Sequence, residues 1–140
     1  MAHVIRGRPL VAGTAAGQLL VTDEPLSFWG GYDPLTGAII DQCHPLLGEI
    51  GAGRILVLPF SRGSSTTTAI LLEAIRNGCA PAAIVTSGTD SFFALASVVA
   101  GELYDQPLPV LALEPEVMST LPQGAWASLD AEGALTITEG

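Results

Sequence analysis

A hydroxyl-rich turn, Arg62-Gly63-Ser64-Ser65-Thr66-Thr67-Thr68, holds the residue types in this sequence that point most directly to chemistry. It lies between the short, β-rich apolar run 54–60 and the apolar run 69–76, which ends at Asn77-Gly78, a typical helix stop. A glycine and hydroxyls at a strand-to-helix turn direct backbone N–H groups and the positive end of the helix dipole to one point. Such a point binds carboxylate or phosphate, and Arg62 adds a fixed charge with a bidentate fork.

Two successive strand–turn–helix units position this turn. The second has a strand at 82–86, a turn at 86–90, a helix from about 91 to 100, and a parallel strand at 107–113. Short strands at 17–22 and 38–41 come earlier, and a hairpin over 125–137 ends the pattern. This order predicts an α/β fold, a layered swivelling β/β/α domain with a mixed, partly parallel sheet and helices on one side. Because parallel sheets bind ligands beyond the carboxyl ends of their strands, we expect the turns 62–68 and 86–90 to lie side by side.

Composition predicts one domain over residues 1–140 and excludes several classes of function. The chain is 49% hydrophobic and only 14% charged, so we expect part of its apolar surface, including the aromatic loop 28–32, to face another subunit. A net charge of −9 argues against nucleic-acid binding, and the absence of lysine excludes a P-loop motif, which requires one. No apolar run reaches the roughly 18 residues that span a bilayer, and no signal segment is present, so we expect a cytoplasmic protein. Cys43 and Cys79 have no metal-ligand spacing, which predicts no metal on this chain.

Several ordered motifs resemble one known family. Pro25-Leu26-Ser27-Phe28-Trp29-Gly30-Gly31, Asp33-Pro34-Leu35-Thr36-Gly37, His44-Pro45-Leu46-Leu47-Gly48 and Arg62-Gly63-Ser64-Ser65 together look like the small subunit, or swivel domain, of aconitase X. The resemblance covers nearly the whole chain. It implies a hydro-lyase built from a large subunit and this small one, with an iron or iron-sulfur centre on the large partner and not on this chain. Activities in the family are dehydration of cis-3-hydroxy-L-proline and of (R)-5-phosphomevalonate.

The resemblance also implies roles for individual residues. The family's catalytic serine follows the glycine of a Lys/Arg-Gly-Ser-Ser/Thr turn, which makes Ser64 the proton acceptor here. Backbone N–H groups, the helix dipole and Arg62 would stabilise its alkoxide, and Gly63, Ser65 and Thr66 complete the substrate-binding turn. His44 is a further candidate for the active site. The simpler alternatives are that Ser64 only caps the helix and that His44, which precedes a proline, only shapes a turn.

Three hypotheses for function follow. The first is the small subunit of a heteromeric iron-dependent hydro-lyase that binds a small carboxylate. Its substrate is cis-3-hydroxy-L-proline, or alternatively (R)-5-phosphomevalonate, which the acidic chain suits less well because phosphate needs more cations. The second is a phosphocarrier swivel domain, which needs a histidine at the helix start, whereas both histidines, His3 and His44, lie elsewhere. The third is a non-catalytic anion-binding module.

Overall fold

The structure is a computed structural model that describes residues 2–28, 30–59, 66–87, 91–105 and 108–138. Within these residues the elements follow one another as β1 (Ala2–Arg6), β2 (Arg8–Val11), β3 (Ala15–Val21), β4 (Ile55–Val57), α1 (Thr66–Arg76), β5 (Ala83–Ser87), α2 (Ser91–Tyr104), β6 (Val110–Leu113), α3 (Pro115–Met118), β7 (Trp126–Leu129) and β8 (Ala134–Thr138).

The strands are hydrogen-bonded in the order β1-β8-β7-β3-β4-β5-β6-β2. The central strands β3, β4, β5 and β6 are parallel, and the flanking pairs are antiparallel. Strand β3 belongs to both parts of the sheet, since Ala15–Gln18 pair with β7 and Leu19–Val21 pair with β4. The mixed, partly parallel sheet predicted from the sequence is confirmed.

Both faces of the parallel strands are buried, which explains why they read as continuous apolar runs. Successive side chains of a strand point to opposite faces, so Leu20 packs into a core shared with α1 and α2, whereas Leu19 packs into a second core with β7 and β8. The layers are therefore β/β/α, as predicted. The expectation that all helices lie on one side is wrong for the short helix α3, which lies on the side away from α1 and α2, where Met118 joins the second core.

The segment 30–50 forms a ribbon rather than the predicted strand at 38–41. Isolated bridges join Tyr32 to Ile39 and Ala38 to Ile50. Gly37 and Gly48 turn the chain on either side with φ of +81° and +90°, which leaves too few consecutive extended residues for a ladder.

The inner side of this ribbon packs into the helix-side core. Phe28 stacks on Tyr32 and meets Phe93 of α2 edge-on, with ring centroids 5.0 and 5.6 Å apart. Phe28 and Tyr32 are fully buried, so the expectation that the aromatic loop faces another subunit is wrong for these two residues; Trp29 lies outside the described residues. Large rings in a small domain contribute most of their stabilisation by filling the core.

Candidate functional site

A cleft of about 620 Å³ opens at the carboxyl ends of the parallel strands. Its walls include Val21, Pro59, Ser87 and Pro115, each at or just beyond the end of a central strand. Pro45 and Leu46 bring the ribbon to the same cleft. Ligands of parallel α/β sheets bind at this edge, so the cleft is the candidate site.

The carbonyl group of Pro59, a residue that lines the cleft, joins two strand ends by hydrogen bonds. The carbonyl oxygen of Pro59 accepts hydrogen bonds from the Thr86 hydroxyl at 2.9 Å, the Ser87 hydroxyl at 2.8 Å and the Ser87 N–H at 3.1 Å. Pro59 immediately precedes residues 60–65, and Ser87 immediately precedes residues 88–90. Pro59 and Ser87, the last described residues before the two predicted turns, are therefore hydrogen-bonded neighbours.

The hydroxyl-rich turn itself lies outside the described residues. This applies to Arg62, Gly63, Ser64 and Ser65, and to the side chain of Thr66, whose backbone begins α1. The strand before the turn and the helix after it are present as predicted. The roles assigned to these five residues remain predictions.

His44 is 7% exposed and lies in the ribbon. The N–H of Leu46 donates to its Nδ1 at 3.1 Å, so the neutral ring carries its proton on Nε2. That Nε2 atom is buried and has no hydrogen-bond partner among the described residues. The imidazole thus shapes the turn, as the simpler alternative required, and also leaves one buried donor unused.

Two other polar side chains along the cleft form hydrogen bonds to the backbone. Gln123 donates its amide to the Val21 carbonyl at 3.0 Å and accepts the Val21 N–H at 2.8 Å. Ser119 donates its hydroxyl to the Glu116 carbonyl at 2.8 Å. Among the described lining residues only Asp23 carries a charge. Sequence analysis missed Gln123 and Ser119, because nothing local in the sequence places residues after β6 beside the end of β3.

Tyr32 holds the ribbon to the end of α1. Its hydroxyl donates to the Cys79 carbonyl at 2.6 Å. Burial, with a smaller contribution from the Cys79 side chain, raises the pKa of the Tyr32 hydroxyl well above its usual range. Tyr32 is therefore a neutral donor that fastens the ribbon to the chain just after α1.

The part of the chain that the structure describes contains no group of three or more His, Cys, Asp or Glu side chains placed to hold a metal ion. No helix in these ranges has the length and apolar character required to cross a bilayer.

The comparison with protein families decides the relationship that the motifs suggested. The model of the aconitase X swivel domain matches residues 4–137. This chain belongs to the aconitase X swivel-domain family. The resemblance drawn from the motifs is confirmed.

The relatives within this family differ in length and in name. A cis-3-hydroxy-L-proline dehydratase of Pseudomonas aeruginosa is 46% identical over 136 residues, which cover 97% of this chain and 23% of that protein. A phosphomevalonate dehydratase small subunit of Methanothermobacter thermautotrophicus is 39% identical over 101 residues, which cover 71% of this chain and 77% of that subunit. The chain therefore spans less than a quarter of the first relative and about three quarters of the second.

The fold also matches a solved member of the family. The crystal structure of Thermococcus kodakaraensis aconitase X in its holo-form superimposes with a TM-score of 0.87 at 30% identity, covering 98% of this chain and 99% of that one.

Proposed function

We propose that this chain is the small subunit of a heteromeric iron-dependent hydro-lyase that dehydrates cis-3-hydroxy-L-proline. The observation that carries the proposal is the cleft at the carboxyl ends of β3–β6, whose lining includes Pro59, three residues before the family's Arg-Gly-Ser-Ser turn in the sequence. Family membership and the 46% identity to a named hydroxyproline dehydratase support it.

In the proposed reaction Ser64 accepts the proton from the α-carbon. The C–H electron pair forms the new C=C bond, the C–O bond at the β-carbon breaks, and the departing hydroxide takes up a proton from solvent to leave as water. An α-proton is poorly acidic, so the serine needs its alkoxide stabilised by the N–H groups at the start of α1 and by Arg62. Arg62 also anchors the substrate carboxylate, and Gly63, Ser65 and Thr66 complete the binding turn.

We place the iron or iron-sulfur centre on the large partner subunit. When bound there, it supplies a Lewis acid for the departing hydroxyl. The described residues of this chain contain no ligand cluster for it, so they do not fit a role as its holder. This chain contributes the base, the anion-binding turn and one wall of the site.

The charge of the chain favours a substrate without phosphate. The net charge is −9 without any lysine, and Asp23 is the charged residue among those described along the cleft. The cationic ring nitrogen of hydroxyproline is attracted to this negatively charged surrounding. A phosphorylated substrate instead adds about two negative charges, which the surrounding would repel. The second candidate, (R)-5-phosphomevalonate, is supported by the 39% identity to a separate small subunit of similar length.

A phosphocarrier role has less support. Such a domain needs a histidine at the helix start, and His44 lies in the ribbon with its Nδ1 engaged by the Leu46 N–H. A non-catalytic anion-binding module remains the alternative from another class, and the experiment below separates it from the hydro-lyase.

The test is reconstitution with the large subunit. The two chains should co-elute, and the complex should dehydrate cis-3-hydroxy-L-proline in preference to (R)-5-phosphomevalonate. Ser64→Ala should abolish turnover and leave assembly intact, while Ser128→Ala on the exposed side of β7 should retain full activity.

Each of the other possible results of this experiment supports a different conclusion. Retained activity in Ser64→Ala removes Ser64 from the mechanism. Carboxylate binding without turnover of either substrate by the wild-type complex favours the anion-binding module. Phosphohistidine formed from a phosphoryl donor would favour the phosphocarrier.

A further inference from the structure

A second groove, of about 520 Å³, lies beside the cleft on the antiparallel part of the sheet. Residues 122–126 form one wall, and Gln18 of β3 and Thr138 of β8 also line it. Gln123 lines both the groove and the cleft, so the two form one continuous surface.

Trp126 gives this groove the composition of an interface centre. Its side chain is 54% exposed, whereas the next residue of β7, Ala127, is fully buried in the second core, so the indole lies on the outer face of the sheet. None of the described residues that line the groove is charged, although the chain has 14 acidic residues and a net charge of −9. An accessible tryptophan on an uncharged surface is typical of the centre of a protein interface.

Both ends of the described fold lie beside this groove. One row of paired residues crosses β1, β8, β7 and β3, and it consists of Ala2, Thr138, Trp126 and Gln18. Strands β8 and β3 are both antiparallel to β7 and therefore run in the same direction, so β8 ends towards the carboxyl ends of the parallel strands, where the cleft opens. Strand β1 is antiparallel to β8 and begins at the same edge.

The length of one relative indicates what covers the groove. The 136 residues that match the Pseudomonas aeruginosa dehydratase are 97% of this chain and 23% of that protein, so most of that protein lies outside the matched region. The remainder is joined to the matched region through its ends, which correspond to the chain ends beside the groove. A second copy of this chain is a less favourable occupant, because it would bring together two molecules that each have a net charge of −9.

We propose that the groove around Trp126 binds the large partner subunit, with the Trp126 indole as the central contact. This inference rests on the proposed function and adds the surface through which the two subunits associate. Because the groove continues into the cleft at Gln123, a subunit bound there lies next to the cleft opening. The partner's part of the site can then face the cleft.

The affinity of the large subunit for variants of this chain tests the surface. Trp126→Thr removes the indole and keeps a residue that favours strands, so the sheet should remain folded. Its dissociation constant should rise about 30-fold or more, as for a central aromatic contact. Leu95→Glu, at a position 52% exposed on α2, is the matched control and should stay within about threefold of the wild type.

A second variant in the groove does not depend on the indole. Gln18→Arg adds a charge at an exposed position that is paired with Trp126, and it should weaken binding about tenfold because that charge loses its water in the interface. Circular dichroism and urea unfolding of each variant verify that the chain is folded. Acrylamide should quench the wild-type tryptophan fluorescence less in the complex than in the free chain, and this difference should shrink in Trp126→Thr.

The remaining outcomes overturn the inference in distinguishable ways. Wild-type affinity in folded Trp126→Thr and Gln18→Arg refutes it and leaves the proposed function standing. Weaker binding by Leu95→Glu alone places the large subunit on the helix side of the sheet. A wild-type dimer that Trp126→Thr converts to monomer, with unchanged affinity for the large subunit, assigns the groove to a second copy. A wild-type chain that does not bind the large subunit refutes the proposed function and this inference with it.

Discussion

The triple hydrogen bond to the Pro59 carbonyl should hold the proposed catalytic turn in place, and Thr86→Val tests this. Thr86 is fully buried, and its hydroxyl donates to that carbonyl at 2.9 Å. Valine has the same shape as threonine, so the substitution removes the donor without opening a cavity. The Ser87 hydroxyl and N–H still reach the same oxygen.

The magnitude follows from this redundancy. One net hydrogen bond contributes about 0.5–1.5 kcal/mol, and the carbonyl keeps partners in the variant. We therefore expect the free energy of unfolding to fall by about 1 kcal/mol and Tm by about 4 °C for a chain of this size. The double variant Thr86→Val/Ser87→Ala leaves only the backbone donor, so it should lose about 2–3 kcal/mol, more than the sum of the single changes.

Urea unfolding of the chain and steady-state kinetics of the assembled complex measure the two effects. The double variant should lower kcat at least tenfold with little change in KM, because the displaced group acts on the reacting carbon. Thr138→Val, an exposed threonine on β8, controls for the chemical change and should alter neither quantity. Full kcat in a destabilised double variant would show that the Pro59 carbonyl supports the fold and does not position the site.

Three further predictions concern other parts of the molecule. Gly37→Ala should destabilise the chain by about 2 kcal/mol or more in urea, since its Cβ would lie 2.6 Å from the Ala52 Cβ at a φ of +81°. Gly124→Ala, with φ of +82° and open space, should cost only about 1 kcal/mol. The N–H groups of Ala134 and Glu132 lower the pKa of Asp130 below its usual value, so its stabilisation is present at neutral pH and lost as the pH falls through that lowered value. Asp130→Asn should make the free energy of unfolding fall less steeply as the pH is lowered. The same steepness in the variant as in the wild type would contradict the reasoning. Ile50→Arg, on the outer side of the ribbon and 47% exposed, should weaken co-elution with the large subunit. If Leu103→Arg on α2 weakens it instead, the interface lies on the helix.

Local patterns were sufficient for the order of the central elements. The short apolar runs bounded by turn residues correspond to β4, β5 and β6, and the apolar runs that follow the first two became α1 and α2, although α2 continues to Tyr104 rather than ending near residue 100. The polar turn at 130–133 correctly predicted the hairpin of β7 and β8. These features depend on residues close in sequence, which is why a pattern of a few residues determines them.

Pairings between distant residues were decided only by the tertiary structure. Strand β1 adds to β8, and β2 adds to β6, so the N-terminal segment 2–11 supplies the edge strands at both ends of the strand order. Gln123 is hydrogen-bonded to Val21, which lies 102 residues away in the sequence, and α3 covers the second core. No local signal encodes such contacts, because their stability comes from the surface that the whole fold buries.

The candidate site shows the same division. Residue types and order in the sequence identified the family and selected Ser64 and His44 as candidates. Only the fold showed that the His44 Nδ1 accepts a hydrogen bond within the ribbon while its Nε2 is buried without a partner among the described residues. The physical reason is that hydrogen-bond satisfaction depends on what surrounds an atom in space, which the order of residues does not state.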